Sequence, residues 1–576
     1  MNVDTTCGIY KSIYDVFPME PEHKTVVERL RKIIPLDDDQ EVALCEIIRR
    51  YLDPETGNLH NVQLLPADTG WGKTRVSIYV SCILNVCFGM RPMIICPANL
   101  RIQWKACLDE ASVKAIGIYS YNEIRGQKGG SATKKDPDGI KIKYTKPPRC
   151  KHPYLIRGDG EHGPFEATEE WNYEINKGTF LIIDESQNLK NDSGQHYAVI
   201  ELIHTLCNAG AKLSRILHLT ASFVDKPDSL RCLMRCFGYT KRNDMLKHNP
   251  GKGVVEWRKY GLGEVVQVAE MIDQRATANA LMSVNRDISA KNLPDIFLNL
   301  WVNVFRQHVV IPVKDAVYCH PVTGIPFARN RINGFYELDE ASKAKAFEAI
   351  QGLKRANIIR DDGFVNMRAA NMNFGAVQKS LMLLCESKLI TLVRVALEYL
   401  RTTNSKLVLC IPFIKGQESV FKLLNLYGPL VLNGQVDMDS RPNIIAKFNE
   451  PNDKCRVIIM TPQVGGVGIN LNDTDGRFPR VFLGTPTFHF LDWFQASGRT
   501  YRRGMMSDTT IIMIYAANAP LESVLVNTMT KSAICRDVIV PGSGRKFPGD
   551  FDIIIENEKK YKGLRAGLIQ MKNMNA

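Results

Sequence analysis

Residues 64–74 read Leu64-Leu65-Pro66-Ala67-Asp68-Thr69-Gly70-Trp71-Gly72-Lys73-Thr74, and this stretch decides the fold class. An apolar, strand-like run enters a turn that contains glycines, and a helix-like pattern follows. Successive backbone N–H groups in such a turn cradle phosphate oxygens, and the helix N-terminus adds favourable potential. Ala67 stands where the general GxxxxGK[ST] pattern has its first glycine. The stretch still predicts a phosphate site whose binding residues are Thr69, Gly70, Trp71, Gly72, Lys73 and Thr74.

Two residues of this stretch have predicted chemical roles. Lys73 would place its positive charge on the β- and γ-phosphates of a bound nucleotide, and the Thr74 hydroxyl would ligate Mg²⁺. We therefore expect ATP and Mg²⁺ as cofactors, with Lys73 also contributing to catalysis.

Short apolar runs alternate with helix-like stretches along the chain. Four runs have the length of buried strands and end abruptly in Pro, Asp or Thr: Met93–Cys96, Phe180–Ile183, Ile216–Leu219 and Val457–Met460. Strands that alternate with helices predict parallel sheets joined by right-handed crossovers. Ligands of such sheets bind at the carboxyl ends of the strands, so the residues directly after each run are the candidate site.

An acidic pair directly follows one of these runs. Asp184 and Glu185 come after Phe180–Ile183, where burying two carboxylates costs free energy unless they have a function. Asp184 suits a Mg²⁺ ligand, and Glu185 suits a general base that polarises the attacking water. An acidic helix N-cap is the alternative for the pair taken alone.

Composition describes a globular protein with several domains. The chain has 576 residues and 64.9 kDa, with 45% hydrophobic and 23% charged residues, which excludes a mainly disordered, collagen-like or coiled-coil chain. The net charge of +13 is compatible with a polyanionic partner. Fifteen cysteines include no CxxC pair, and neither a membrane-length apolar run nor a secretory signal is apparent. We expect an intracellular protein with reduced thiols and no membrane association.

Five segments are predicted from the changes in pattern. They are an N-terminal extension (1–34), a first sheet domain (35–245) with a basic insertion at about 126–172, a mainly helical linker (246–385), a second sheet domain (386–545) and a C-terminal tail (546–576) with a periodic, helix-like pattern at Phe551–Met574. Residues 126–160 hold nine Lys/Arg and three Asp/Glu, which suits either a solvated loop or a nucleic-acid contact.

The order of motifs resembles that of superfamily 2 helicases and translocases, within them the Swi/Snf-type translocases, and also the helicase-like ATPases of large DNA viruses. Residues 67–74 match motif I, and Asp184–Asn191 match motif II with the trailing Leu-Lys-Asn of the Swi/Snf branch. Further matches are Pro97–Leu100 with Gln103-Trp104 (motif Ia), Tyr119–Tyr121 (Ib), Thr220–Ser222 (III), Gly465–Leu471 (V) and Gln495–Arg502 (VI). Ser186, Gln187 and Ser222 depart from the commoner residues.

The resemblance implies an α/β fold of two tandem RecA-like domains, with a mainly helical region connecting them. In such proteins the arginines of motif VI, here Arg499 and Arg502, act as fingers on the transferring phosphoryl group from the second domain. We expect both on one face of a helix, because they are three residues apart. Gln495 would contact the γ-phosphate or its water, and Gln40 would contact adenine unless it is an ordinary polar helix residue. Trp104 and Trp493 suit either the core or a function.

Nucleic-acid contacts are expected from motifs Ia, Ib and V, through groups that hold phosphates without recognising bases. The candidates are Asn99, Arg101, Thr461, Gly465 and Gly466.

The expected function is an ATP-dependent nucleic-acid translocase, with DNA favoured over RNA as the polymer and viral transcription or genome handling as the setting. RNA polymerase and other transcription factors are further candidate partners, and the sequence does not define an oligomeric state. One alternative is a strand-separating DNA or RNA helicase; no wedge hairpin is apparent, although residues 246–385 leave room for one. Another is a non-catalytic, helicase-like subunit of a transcription complex.

Overall fold

A computed structural model divides the chain into two compact units. Unit 1 contains the described residues of Met1–Ala67, Gly72–Asp315 and Cys535–Gly544; unit 2 contains those of Asp68–Trp71, Ala316–Ile534 and Arg545–Ala576. The structure describes residues 12–52, 61–68, 70–126, 130–135, 141–146, 150, 152–158, 164–209, 214–221, 223, 229–240, 261–282, 293–313, 317–358, 372–465, 469–486, 490–516 and 529. The predicted tail and its helix-like segment Phe551–Met574 lie outside them.

Unit 1 is built on a five-stranded parallel sheet in the order β1-β9-β8-β2-β3. Its central strands are buried, as in parallel sheets that are covered on both faces. The predicted runs at 93–96, 180–183 and 216–219 all lie in strands. The strands of unit 1, including two short antiparallel pairs, are β1 (Val62–Leu65), β2 (Arg91–Cys96), β3 (Gly117–Ser120), β4 (Gly130–Lys135), β5 (Lys141–Lys146), β6 (Leu155–Ile156), β7 (Glu166–Ala167), β8 (Thr179–Asp184) and β9 (Ser214–Leu219).

Helices flank this sheet and complete one hydrophobic core. Leu181 of the sheet and Leu202 of the helix that follows β8 belong to this core, together with Trp301 and Phe305 from the end of the unit. The helices are α1 (Ile13–Val16), α2 (Pro21–Ile33), α3 (Asp38–Leu52), α4 (Lys73–Phe88), α5 (Arg101–Glu110), α6 (Tyr121–Arg125), α7 (Glu169–Asn176), α8 (Gly194–Asn208), α9 (Leu230–Cys236), α10 (Leu262–Met282, kinked at Asp273), α11 (Leu293–Leu300) and α12 (Arg306–Val309). Short 3-10 turns cover Ala98–Leu100 and Ser186–Leu189, and a π turn covers Trp301–Phe305.

The predicted basic insertion at 126–172 contains both antiparallel pairs. Strand β4 pairs with β5 from Gly130 opposite Lys146 to Lys135 opposite Lys141, and β6 pairs with β7. Thr168 then caps α7, since its hydroxyl accepts a hydrogen bond from the Trp171 backbone N–H. The insertion therefore includes regular secondary structure.

Unit 2 is built on a six-stranded parallel sheet in the order β10-β15-β14-β11-β13-β12. Alternate residues of its strands enter two separate cores: Val408 and Phe482 pack on one face, and Leu407 and Leu483 pack on the other. The strands are β10 (Arg329–Tyr336), β11 (Lys406–Cys410), β12 (Pro429–Leu432), β13 (Val457–Met460), β14 (Arg480–Gly484) and β15 (Thr509–Ala516). The helices are α13 (Glu340–Arg355), α14 (Phe374–Thr402), α15 (Ile414–Leu423), α16 (Arg441–Asn449), α17 (Pro462–Gly465) and α18 (Phe490–Ser497), with a 3-10 turn at Asn425–Tyr427.

The predicted linker at 246–385 does not form a body of its own in the described residues. Helices α10 to α12 pack in the core of unit 1, and the described residues of 316–385 belong to unit 2. Strand β10 was not expected there. Its residues, RNRINGFY, are largely polar, because β10 is an edge strand that pairs with β15 alone.

A hairpin precedes β10. Cys319 and Pro326 form an antiparallel bridge, and the Phe327 N–H donates to the Tyr318 carbonyl at 2.8 Å. Val322 at its tip is 86% exposed, and Ile325 is 65% exposed. The hairpin lies within the region where the sequence left room for a strand-separating element.

None of the helices in the described residues is long and apolar enough to span a membrane.

Candidate active site

The phosphate loop connects β1 to α4 and depends on two glycines. Gly70 has φ +89° and Gly72 has φ +104°, in the left-handed region that favours glycine. A Cβ on Gly72 would meet the Gln40 side-chain nitrogen at 2.3 Å, so a larger residue would also clash. These two observations give a physical reason for both glycines of the predicted motif.

Lys73 and Thr74 occupy the first turn of α4, where backbone N–H groups lack helical partners. Lys73 is 8% exposed, and its Nζ donates to the Ala67 carbonyl at 2.9 Å within the loop. Thr74 is half-buried, Trp71 is buried, and Thr69 lies outside the described residues. The loop therefore places a buried ammonium at the N-terminus of a helix, which is a favourable place for phosphate.

Gln40 lies beside the phosphate loop. Its side chain is buried, its Oε1 accepts from the Asp37 backbone N–H at 3.1 Å, and its amide nitrogen approaches Gly72. The role predicted for it at adenine remains a prediction, but the structure does not place it as an exposed helix residue.

The acidic pair lies at the carboxyl end of β8, where Asp184 is opposite Leu219 of β9. Asp184 and Glu185 are both buried. Burial and then the neighbouring Glu185 raise the pKa of Asp184 to about 6, while the ammonium of Lys73 opposes the rise. Glu185 adopts a left-handed backbone with φ +53°, an uncommon conformation for a residue with a side chain. Uncompensated carboxylates and local strain of this kind concentrate at functional sites.

Three groups hold Asp184. The Trp104 indole N–H donates to Oδ2 at 2.9 Å, the Glu185 backbone N–H donates to Oδ1 at 2.9 Å, and the Tyr121 hydroxyl donates to the Asp184 carbonyl at 2.7 Å. Trp104 is thus both a core residue and a partner of the site, which the sequence had left open. Trp493 instead packs edge-on against Phe482 in the core of unit 2.

A relay of side chains fixes Glu185. The Thr220 hydroxyl donates to Oε1 of Gln187 at 2.7 Å, and Nε2 of Gln187 donates to Oε2 of Glu185 at 2.8 Å. Gln187 is one of the departures from the commoner motif II residues, and it connects motif II to motif III. Sequence reasoning did not assign this role to Gln187 or Thr220.

The arginines of motif VI do not lie on a helix, so the helical-face prediction was wrong. Helix α18 ends at Ser497, and Arg499 and Arg502 follow in a turn and loop. Arg499 is buried, and its carbonyl accepts from the Leu471 N–H at 3.0 Å. Arg502 Nη1 donates to the Ile469 carbonyl at 2.8 Å and also to the Asn470 side chain. Gly498 interrupts the motif at this point, which favours a turn over a continuing helix.

Gln495 lies in the last turns of α18 and is buried. Its side-chain nitrogen has no hydrogen-bond partner among the described residues. A buried, unpaired amide costs free energy, so a polar ligand at this position would stabilise the site.

The candidate nucleic-acid residues differ in their surroundings. Asn99 and Arg101 are exposed near the N-terminus of α5, and Arg101 pairs with Glu123 at 2.6 Å. Thr461 is buried directly after β13, and Gly465 ends the short helix α17. Gly466 lies outside the described residues.

A cluster near motif II carries potential metal ligands. Ligand atoms of Asp192, His196 and Cys232 lie within 4.8 Å of one another. However, the Asp192 carboxylate is paired with Arg231 and with Arg235 at 2.7 Å. The two positively charged guanidinium groups would repel a metal cation there. We therefore interpret the cluster as a structural ion-pair network and not as a metal site.

No protein-family model matches the chain. A protein of Acanthamoeba polyphaga mimivirus with the name "Putative ATP-dependent RNA helicase" is 22% identical over 510 residues, which cover 88% of this chain and 83% of that protein. The "DNA repair and recombination protein RAD54-like" of Drosophila ananassae is 26% identical over 113 residues, which cover 20% of this chain and 14% of that protein. The second match is thus confined to a small segment of a longer relative.

Solved structures also resemble the chain. The "Sulfolobus solfataricus SWI2/SNF2 ATPase core in complex with dsDNA" has 14% identity and a TM-score of 0.28, covering 96% of this chain and 97% of that one. The "S. cerevisiae Dbp5 bound to RNA and ADP BeF3" has 11% identity and a TM-score of 0.40, covering 95% and 100%. Both TM-scores are below 0.5, so neither likeness distinguishes between DNA and RNA.

The ordered motifs, the two parallel sheets and the similarity to the mimivirus protein over most of the chain make this protein similar to superfamily 2 helicase-like ATPases. Within that superfamily, it resembles the Swi/Snf-like branch and the helicase-like ATPases of large viruses.

Proposed function

We propose that this protein is an ATP-driven translocase on double-stranded DNA, whose ATP hydrolysis is stimulated by the polymer. One observation carries the assignment of ATP hydrolysis. The phosphate loop follows β1 and the acidic pair follows β8, at the same end of one parallel sheet, and Lys73 is close enough to influence the pKa of Asp184. The Leu-Lys-Asn that trails motif II and the Gln-Trp pair of motif Ia support the Swi/Snf-like choice of duplex DNA.

The residues fit a nucleotide with its Mg²⁺. With positive φ angles and no Cβ at Gly70 and Gly72, the loop backbone is free to approach phosphates closely. Asp184 is a buried carboxylate with a raised pKa, whose charge a cation would compensate. Thr74 and Asp184 would hold the ion. When bound with ATP, Mg²⁺ supplies neutralisation of charge on the β- and γ-phosphate oxygens.

The chain's own residues supply the rest of the mechanism. Lys73 binds phosphate oxygens, and Glu185, held by Gln187, accepts the proton of the attacking water. Arg499 and Arg502 stabilise the charge of the transferring phosphoryl group, and Gln495 orients the γ-phosphate or the water.

The polymer is held without recognition of its bases. Asn99, Arg101, Thr461, Gly465 and Gly466 would hold backbone phosphates, so the protein can move along any sequence. The net charge of +13 is consistent with such a track.

An RNA or DNA helicase that separates strands is the second candidate. The name of the mimivirus relative favours RNA for that protein. The exposed, uncharged hairpin tip around Val322 favours an element that could separate the strands of a duplex. The mimivirus relative comes from a virus, and this source supports an intracellular setting in viral transcription or genome handling. RNA polymerase or other transcription factors would be partners in that setting.

Steady-state ATPase at a stated salt concentration, with duplex DNA, single-stranded DNA and RNA added in turn, tests the proposal. Displacement of a triplex-forming strand from duplex DNA then measures translocation, and separation of a partial duplex measures unwinding. We expect the largest stimulation with duplex DNA and displacement without unwinding. Stimulation by RNA alone with unwinding would establish the second candidate, and no stimulation by any polymer would reject both.

A further inference from the structure

Two predicted nucleic-acid motifs converge on the same buried residue, Asp184, one at its carboxylate and the other at its backbone carbonyl. Helix α5 begins at Arg101, next to the exposed Asn99, and Trp104 follows one turn later. Trp104 is 1% exposed, and its indole N–H donates to Oδ2 of Asp184 at 2.9 Å. A residue at the surface and a residue in the core are thus separated by one turn of the same helix.

Motif Ib makes a second connection. Tyr121 begins α6, whose N-terminus is fixed by a capping box between Ser120 and Glu123. The Tyr121 hydroxyl donates to the Asp184 carbonyl at 2.7 Å, and the ring is 4% exposed. At the surface, Glu123 pairs with Arg101 and so joins α6 to α5.

We propose that Trp104 and Tyr121 are positioning residues that transmit the binding of a nucleic-acid backbone at α5 and α6 to Asp184. A phosphate that takes Arg101 from Glu123 releases the contact between the two helices. Each helix is tied to Asp184 by one hydrogen bond, so a shift of either helix moves the carboxylate that would hold Mg²⁺. This proposal rests on the proposed function, since it concerns the same ATP and polymer sites.

Hydrogen bonds from groups that orient a metal ligand typically affect metal affinity or activity by about 10- to 100-fold. A purely structural indole or phenol would instead contribute to stability without changing the dependence on Mg²⁺ or on polymer. The two roles therefore differ in what a conservative substitution changes.

Trp104→Phe and Tyr121→Phe remove the donors and keep an aromatic ring in place. The matched controls are Trp171→Phe, whose indole donates to the Leu202 carbonyl at 3.3 Å, and Tyr51→Phe, whose hydroxyl donates to the Ile216 carbonyl at 2.6 Å. Both controls are fully buried in unit 1 and make no hydrogen bond with Asp184 among those described.

Two measurements are made on each full-length variant. The first is the Mg²⁺ dependence of binding of a fluorescent ATP analogue, with and without duplex DNA. The second is the stimulation of ATPase by that DNA. We expect Trp104→Phe to raise the Mg²⁺ concentration for half-saturation by about tenfold and to lower DNA stimulation by a similar factor, with Tyr121→Phe acting in the same direction. The controls should match wild type in both measurements.

Wild-type values in both variants, with a wild type that DNA does stimulate, overturn this inference and leave the proposed function standing. A raised Mg²⁺ requirement with normal DNA stimulation would mean that the two residues position Asp184 but do not transmit nucleic-acid binding to it, which overturns the inference. A wild type that no polymer stimulates overturns the proposed function and this inference together. If Trp104→Phe does not fold, Tyr121→Phe alone decides by the same criteria.

Discussion

The acidic turn of unit 1 (Asp184–Leu189) and the arginine loop of unit 2 (Gly498–Arg503) hold their charged side chains in opposite ways. Asp184 lies at the end of a buried strand, and its carboxylate receives two N–H groups. Arg502 lies beyond the end of a helix, and its guanidinium donates to a backbone carbonyl of its own unit.

This difference indicates a division of roles. The acidic turn is organised in advance around two buried carboxylates whose negative charge is only partly compensated, at a free-energy cost that a cation would offset. In the arginine loop, the guanidinium of Arg502 already has an acceptor at Ile469, which it must exchange for a phosphate oxygen. The acids are therefore in place in the nucleotide-free protein, whereas the arginines are expected to contact the nucleotide only during turnover.

Lys73→Ala should have the largest effect. It removes the buried ammonium that would bind the phosphates, and both the acids and the arginines are proposed to act on those phosphates. ATP turnover should fall to background, while thermal unfolding stays close to wild type. Lys105→Ala, a change of an exposed lysine on α5, is the control. Wild-type turnover in Lys73→Ala with normal unfolding would remove the phosphate-site assignment.

Arg502→Ala tests the role of the arginine loop directly. We expect hydrolysis to fall by about 10³-fold, the scale of a lost arginine finger, with no rescue by added DNA. Nucleotide should still bind through Lys73 and the rest of the phosphate loop, and DNA binding should weaken only modestly. The measurements are DNA-stimulated ATPase and a nucleotide titration, with Arg503→Ala as the neighbouring control. Normal hydrolysis with and without DNA would mean that the contact with Ile469 is the whole role of Arg502.

Glu185→Gln tests the role of the acidic turn. Loss of a general base should slow hydrolysis by about 10²-fold or more and leave nucleotide and Mg²⁺ binding intact. Single-turnover hydrolysis beside a binding titration checks this, with Glu110→Gln on the surface of α5 as the control. A large loss of nucleotide affinity would instead assign Glu185 to metal binding or to structure.

The smallest expected effect is the change in stability that Asp184→Asn causes in the nucleotide-free protein. The pKa of Asp184 is raised from 3.8 to about 6, so the folded state binds this proton more tightly than the unfolded chain does. The resulting stability is present below about pH 4 and is lost as the pH rises through about 6. The neutral amide should therefore raise the unfolding free energy of the nucleotide-free protein at about pH 8 by roughly 1 to 3 kcal/mol.

Thermal unfolding of Asp184→Asn and wild type at about pH 8 and about pH 4 measures that effect. The gain should disappear at the lower pH, and Asp109→Asn, an exposed change, should show none. A midpoint at or below that of wild type at the higher pH would show that the carboxylate is well compensated at rest.

The comparison also shows where sequence patterns succeed. Phe180–Ile183 is apolar on both faces of the sheet and ends in two acids, so the strand and the position of the acids at its carboxyl end were both predictable. The run Arg329–Tyr336 forms a strand as well, but it lies at the edge, where polar residues are tolerated, and its pattern resembles a loop. The spacing of Arg499 and Arg502 led to a wrong prediction. It placed both on one face of a helix, but the helix ends at Ser497 and both residues follow it.

The sequence by itself determined the phosphate loop, the acidic pair, the alternation of strands and helices, and the order of the motifs. Each of these depends on residues that are neighbours in the chain or on a short periodicity. The tertiary structure alone decided that Trp104 binds Asp184, 80 residues away, and that Thr220 holds Gln187, 33 residues away. Such contacts depend on how strands align in the sheet, and a linear pattern carries no direct signal of that alignment.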